Sequence, residues 1–286
     1  MAAIADGSIL AHDTRRDVVI GVLNVTPDSF SDAGEFLDPA SARHHARRLV
    51  DDGADAIDVG AESTRPGAAR ISAGEQIARL REVLPAVCAT GLPVSIDTTR
   101  AAVAEAALDA GATIVNDVSA GRDDPDLLPL AARREAVVVL MHMLGEPNTM
   151  QRNPHYDDVV VEVRDFLYER MAAAEAAGVP LDRIVVDPGI GFGKRLEHNL
   201  ALLKRIDVLA ALGAPVLVGP SRKSFIGELS GESQPTDRVA GTLAACLEAR
   251  RGGARLFRVH DVKALRQALT VTAAIETARQ TQTSAS

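Results

Sequence analysis

Eight short, continuously apolar runs rich in β-branched residues recur along the chain, at 18–25, 54–60, 93–98, 113–119, 136–142, 183–189, 215–221 and 255–261. Between them lie longer stretches whose apolar residues return every three or four positions. A strand with one wet face alternates apolar and polar residues. A run without alternation is covered on both faces, the condition of a parallel strand flanked by helices. Eight strand–helix units, with no break in composition and no linker between them, predict one α/β domain over 18–278. Its eight parallel strands would close as a (β/α)8 TIM barrel. The competing architecture is an open doubly wound sheet, which would place a glycine fingerprint after the first strand. That position holds NVTPDSFSD instead, so the barrel is the better solution.

Helix signals punctuate the segments between strands. Asp38-Pro39 starts a helix that buries Ala42, Ala46, Leu49 and Val50 and stops at Gly53. Ser72 and Glu75 form a capping box ahead of a stripe of Ile77, Leu80, Leu84, Val87 and Cys88. Thr236 precedes Val239, Leu243, Cys246 and Leu247, and Asp261 is placed to cap a last helix reaching about Ala278. Residues 1–17 are expected to be an N-terminal extension and 279–286 a frayed polar tail. Cys88 and Cys246 form no C-x-x-C and sit on apolar stripes, so they are expected as buried thiols in a reducing compartment. No apolar run nears the ~20 residues of a membrane span, and the N-terminus lacks the apolar region of a signal peptide. A cytoplasmic protein without a membrane partner is expected. A net charge of −8 and only eight aromatic residues argue against a nucleic-acid partner.

Barrels of this kind place their chemistry at the C-terminal ends of the strands. Those ends carry Asn24, Asp58 with Glu62, Asp97, Asn116 with Asp117, His142, Asp187, Arg222 with Lys223, and Arg258 with His260. One polar residue there merely marks where a strand becomes a loop; eight ends in a row, with complementary types, point to a site. Asp97, Asn116 and Asp187 suit a flat heterocycle with amino and ring N–H donors, because a carboxylate can accept two parallel hydrogen bonds from such an edge. Arg65, Lys223, Arg258 and His260 are donors for phosphate oxygens, and Arg258 and His260, two apart on a strand, are expected to project to one side. A heterocyclic substrate bearing a phosphate or pyrophosphate follows. The GIGFGK segment at 189–194 is no phosphate loop, since Pro188 and Arg195 stand where that pattern needs Gly and Ser or Thr. Its glycines are expected to let backbone pass close to a ligand. His44 and His45 are adjacent on a helix, but Arg48 and Leu49 follow at the metal-ligand spacing, so both are expected at the surface.

The motifs NVTPDSFSDAGEF, ADAIDVGAESTRPGA, VSIDTTR, IVNDVSAG, VLMHMLGEP, DPGIGFGK, VGPSRKSFIG and FRVHDV follow one another at the strand ends. This string resembles the dihydropteroate synthase family over about 18–278. The resemblance implies a (β/α)8 fold, a homodimer, and condensation of 6-hydroxymethyl-7,8-dihydropterin pyrophosphate with 4-aminobenzoate. By motif match it places Asp97, Asn116, Asp187 and Lys223 in the pterin pocket. Asn24, Arg65, Arg258 and His260 fall in the pyrophosphate site, with Mg2+ as cofactor on Asn24. Thr64, Pro66, Phe192, Lys223 and Ser224 fall in the aminobenzoate pocket, and Asp28, Phe30 and Asp32 on a closing loop. It further implies an SN1-like path in which Asp32, Arg65, Arg258 and His260 are catalytic.

Ala33 and Ala61 stand where the family often has glycine, so the backbone there must avoid positive φ. Two alternatives differ in the motifs they need. A barrel passing a methyl group from a folate to a corrinoid protein would share the pterin acids but have no use for NVTPDSFSD, STRPG or SRKSF. A non-catalytic pterin-binding paralogue would have lost loop or anion-site residues. All of these are present.

Overall fold

A computed structural model describes residues 10, 16–25, 39–63 and 68–283. The strands are β1 (Val18–Asn24), β2 (Ala56–Gly60), β3 (Val94–Asp97), β4 (Ile114–Asp117), β5 (Val137–Met141), β6 (Ile184–Asp187), β7 (Leu217–Val218) and β8 (Leu256–Val259). All pair in parallel, in the order β6-β5-β4-β3-β2-β1-β8-β7. A single parallel bridge, Val186 to Val216, joins β6 to the chain just before β7 and closes the ring. The expected (β/α)8 barrel is the fold.

The absence of alternation has the cause anticipated for it. Val18, Ile20, Ala56, Ile114, Val137, Val139, Val185, Leu217 and Leu256 form one buried cluster, which Leu10 completes. Val19, Leu23, Ile57, Val59, Val115 and Val138, from the intervening positions, pack with helix residues such as Leu49, Leu80 and Val103 in a second cluster. Each strand therefore buries both faces. Roughly 25 cal/mol per Å2 of apolar burial on both sides makes any polar substitution within a strand costly. Polar groups survive at the ends, or where they pair, as Asp58 does with Ser95 and Arg258.

Several elements differ from their expected extents. β7 has two residues where seven were expected, since Pro215 and Pro220 bracket it and neither has an N–H to give a ladder. The stripe from Ile77 to Cys88 lies on two helices, Ala73–Arg81 and Leu84–Cys88. Pro85 cannot bond back to Arg81, so one helix ends and another begins. Ser72 does cap the first, accepting from the Glu75 N–H at 3.2 Å. Thr236 falls in the short turn Pro235–Asp237, and the following helix, Val239–Arg251, begins after Arg238. The last helix, Val262–Thr283, takes in residues 279–283, which were expected to fray. The first runs Pro39–Asp51; Asp38 lies outside the described residues. Cys246 is buried and Cys88 half-buried, both unpaired. Among the described residues no helix is long and apolar enough to cross a membrane.

Candidate active site

The β1–β4 ends share one register row: Asn24 pairs with Gly60, Gly60 with Asp97, and Asp97 with Asn116. Gly60 contributes no side chain, and a Cβ built there would lie 3.6 Å from Asn24 Oδ1 and from Asp97 Cβ. Asn24 and Asp97 therefore face a common space. Beneath the row lies Asp58, 1% exposed. Its Oδ1 accepts from Ser95 Oγ at 2.5 Å, its Oδ2 from Arg258 Nε at 2.6 Å, and Asn116 Nδ2 lies 3.4 and 3.5 Å from the two oxygens. Arg258 Nη2 also donates to Asp97 Oδ2 at 3.1 Å. The guanidinium expected to meet phosphate is thus already paired with two carboxylates, which use two of its five N–H groups. Burial pushes the Asp97 carboxyl up to about 7, Arg258 pulling it down and Asp58 adding repulsion.

At the β5–β6 ends Asp187 is buried, and its Oδ1 accepts from the Gly189 N–H at 2.7 Å. Burial raises this carboxyl too, against the attraction of Lys223. Gly189, Gly191 and Gly193 have φ of 66°, 82° and 62°. Alanine at 189 would set its Cβ 1.9 Å from the His142 carbonyl oxygen, and at 193 it would lie 2.6 Å from that of Leu144. Gly189 and Gly193 are needed because this loop lies against the β5 end of the protein itself, and a Cβ at Gly191 would lie 3.0 Å from Lys223 Cδ. Lys194 ties the two loops together: its buried Nζ contacts His142 Nδ1 at 2.9 Å and donates to the Phe192 carbonyl at 3.0 Å. His142, enclosed and next to this amine, is pushed down to about 2. It packs edge-on against Phe166, with ring centroids 4.8 Å apart, and acts as a neutral structural ring.

Beyond β7, Arg222 has φ of 60°, uncommon for a side chain with a Cβ. Two tethers hold it there. Its guanidinium pairs with both Asp261 oxygens at 2.6 and 2.9 Å, and its N–H donates to Thr242 Oγ1 at 3.0 Å. Asp261 is thereby spent on Arg222. This kink sends neighbours in different directions. Ser221 Oγ accepts from the His260 N–H at 3.1 Å and lies 2.9 Å from His260 Nδ1. Lys223 Nζ sits 4.4 Å from the centre of the Phe192 ring and donates to the Ile190 carbonyl. Burial lowers Lys223 to about 8, with Asp187 favouring its charged form. Ser224 is exposed at the start of the helix Ser224–Ser230.

The barrel top thus holds an acceptor wall (Asp97, Asn116, Asp187), an amine stacked on an aromatic ring (Lys223 on Phe192), and a corner with Arg258 and His260. Arg258 and His260, expected to act from one side, take different partners, Arg258 across to β2 and β3 and His260 to the β7 end. The sequence pattern of the pterin binding enzyme family matches residues 20–260. Dihydropteroate synthase from Synechocystis is 46% identical over 262 residues, 91% of each chain. The chain belongs to the dihydropteroate synthase family. A solved family structure from Xanthomonas albilineans, with 4-aminobenzoic acid, superposes at a TM-score of 0.86 with 48% identity, over 92% of this chain and 94% of that one. Another from that organism, in complex with 7,8-dihydropteroate, has a TM-score of 0.84 and 44% identity, over 95% and 98%.

Of the residues matched to dihydropteroate synthase motifs, Asp28, Phe30, Asp32, Ala33, Thr64, Arg65 and Pro66 lie outside the described residues. Ala61 has no positive φ and is buried, as its Cβ requires. His44 is exposed and His45 half-buried, and no cluster of three His, Cys, Asp or Glu fit for a metal occurs among the described residues. Asp58, Ser221 and Lys194 had no assigned role in the sequence. Asp58 and Ser221 do stand at or near strand ends, a usable signal. Lys194 gave none, because a lysine after glycines looks like a surface residue until its burial is known.

Proposed function

We propose that this protein is a dihydropteroate synthase, an alkyl-transferring enzyme of folate synthesis that joins 6-hydroxymethyl-7,8-dihydropterin pyrophosphate to 4-aminobenzoate. One observation carries the reading. Arg258 joins the acceptor wall at Asp97, with His260 two residues beyond it in the chain, at the strand ends of a protein nearly half identical to family members holding the amine and the product. Asp97, Asn116 and Asp187 accept from the N–H edge of the pterin, with Lys223 donating from the other side. Phe192, Lys223 and Ser224, with Thr64 and Pro66, take the arylamine. Arg258 and His260, with Arg65, take the pyrophosphate, and Asp28 and Phe30 belong to the loop that closes on it.

The methylene C–O bond breaks first, its electron pair leaving with pyrophosphate. The electron-rich dihydropterin carries the resulting cation, which Asp32 stabilises by its charge. The amine lone pair then forms the C–N bond, and the nitrogen releases a proton. Arg258 and His260 aim N–H donors at the departing oxygens, a contribution of typically about 3 kcal/mol each. Asn24 fits Mg2+ as one neutral oxygen donor facing the shared space over Gly60, since Mg2+ takes few protein ligands and completes its shell with substrate oxygens and water. When bound, the ion neutralises charge developing on pyrophosphate.

The enzyme acts in the cytoplasm, which the two unpaired cysteines suit. It works as a homodimer, for which Val271 and Ile275, about half exposed one turn apart on the last helix, offer an apolar surface. Sedimentation showing only ~30 kDa species at micromolar concentration would exclude the dimer.

The test of mechanism is pyrophosphate release with and without 4-aminobenzoate. A dissociative path predicts slow release without the amine, because water captures the cation. His260→Ala should slow that release, whereas Ser224→Ala should raise the KM for the amine and leave release alone. Equal damage to both steps from both variants would mean concerted displacement.

A further inference from the structure

We infer that Asp58 is a positioning residue that decides which edge of Asn116 meets the pterin. Asp58 cannot touch a ligand: it lies beneath the register row, 1% exposed, with donors around it. Ser95 Oγ gives to one oxygen at 2.5 Å and Arg258 Nε to the other at 2.6 Å. Asn116 stands over both, Nδ2 at 3.4 and 3.5 Å. A carboxylate paired with a guanidinium has only acceptors to offer. The Asn116 amide must therefore turn its N–H2 downward, because the reverse orientation would set its carbonyl oxygen against two carboxylate oxygens. Its Oδ1 is left to face the pocket.

Asn116 consequently presents itself to a ligand as a third acceptor beside Asp97 and Asp187. A ligand that sets an N–H group against each of these oxygens fits such a row. This inference rests on the proposed function, whose dihydropterin carries such donors at N3, its 2-amino group and N8. Asp58 also joins the two halves of the site, since the carboxylate that orients the heterocycle reader holds Arg258 by its Nε.

The test is calorimetry of wild type and Asp58→Asn with 6-hydroxymethyl-7,8-dihydropterin and, separately, with inorganic pyrophosphate. An amide at 58 no longer dictates the orientation of Asn116, and it removes a negative charge beside Arg258. The expected signature is divergent: the Kd for pterin rises at least tenfold, while the Kd for pyrophosphate stays level or falls. A pterin Kd within twofold of wild type overturns the inference, as does parallel weakening for both ligands, which is what general damage produces. A second measurement needs no variant at position 58. The chain has five asparagines, so [15N]asparagine labelling gives few side-chain signals, and Asn116→Ser identifies that of Asn116. Its N–H2 should be protected from solvent exchange before any ligand is added. Protection appearing only with pterin would place the N–H2 on the ligand and refute the assignment. If wild type binds no pterin, the proposed function fails while this free-protein measurement still decides the orientation.

Discussion

Gly189→Ala offers a sharp test of how the barrel top is held. Gly189 has φ of 66°, and an L-residue in that region costs roughly 1–2 kcal/mol. The new Cβ would also lie 1.9 Å from the His142 carbonyl oxygen and 3.0 Å from its carbon. Both atoms are backbone, so no rotamer change relieves the overlap and the β5 and β6 ends must part. One hydrogen bond spans that seam, His142 N to Asp187 O at 3.0 Å, and within the displaced turn Gly189 N donates to Asp187 Oδ1 at 2.7 Å. Losing them costs about 1 kcal/mol for the neutral bond and about 2 for the charged one, bringing the expected loss to about 4–5 kcal/mol. Gly213→Ala is the internal control. Its φ of 87° imposes the same backbone penalty, but nothing lies within 4 Å of the built Cβ. Urea unfolding followed by circular dichroism should put Gly189→Ala about 2–4 kcal/mol below Gly213→Ala, with m unchanged. Because Asp187 would be displaced, pterin affinity should fall in the first variant and hold in the second. Equal losses of stability would refute the argument, since the two sites differ only in what the Cβ meets.

Two further predictions concern the carboxylates. Asp187→Ala should remain folded and raise the Kd for pterin at least a hundredfold, since unpaired donors on a bound heterocycle cost about 3 kcal/mol; calorimetry that finds an unchanged Kd would remove Asp187 from the pocket. Burial raises the Asp97 carboxyl to about 7, so between about pH 4 and 7 the folded protein keeps a proton that the unfolded chain has released. The Asp97 contribution to stability should therefore decline as pH rises through that window, and Asp97→Asn should remove that part while leaving the shares of Asp187, raised likewise, and of His142, lowered. Parallel urea midpoints for the two proteins at pH 5 and pH 8 would show that Asp97 does not titrate there.

The sequence by itself determined the architecture and the identities at the strand ends. Runs such as Val137–Met141 lack alternation because both faces are buried, and burial on both faces is a local constraint that every residue of the run must satisfy. The end residues are legible for a related reason: a strand cannot hold Asp97 or Asp187 between two apolar layers, so they mark its exit toward solvent and ligand. Proline is equally local, and Pro85 could have been read as dividing the stripe of Ile77 to Cys88. Only the tertiary structure decided which of these groups meet. Asp58 and Arg258 are 200 residues apart, and nothing near either one in the chain encodes their pairing. Ser221 reaches His260 only because β7 lies beside β8. The GIGFG glycines show the same limit most plainly. Their number indicated close approach, but that Gly189 and Gly193 meet the His142 and Leu144 carbonyls depended on how β5 and β6 are set side by side. Pairings of this kind arise from ring closure, which brings distant strand ends to one level, and no window of sequence contains both partners.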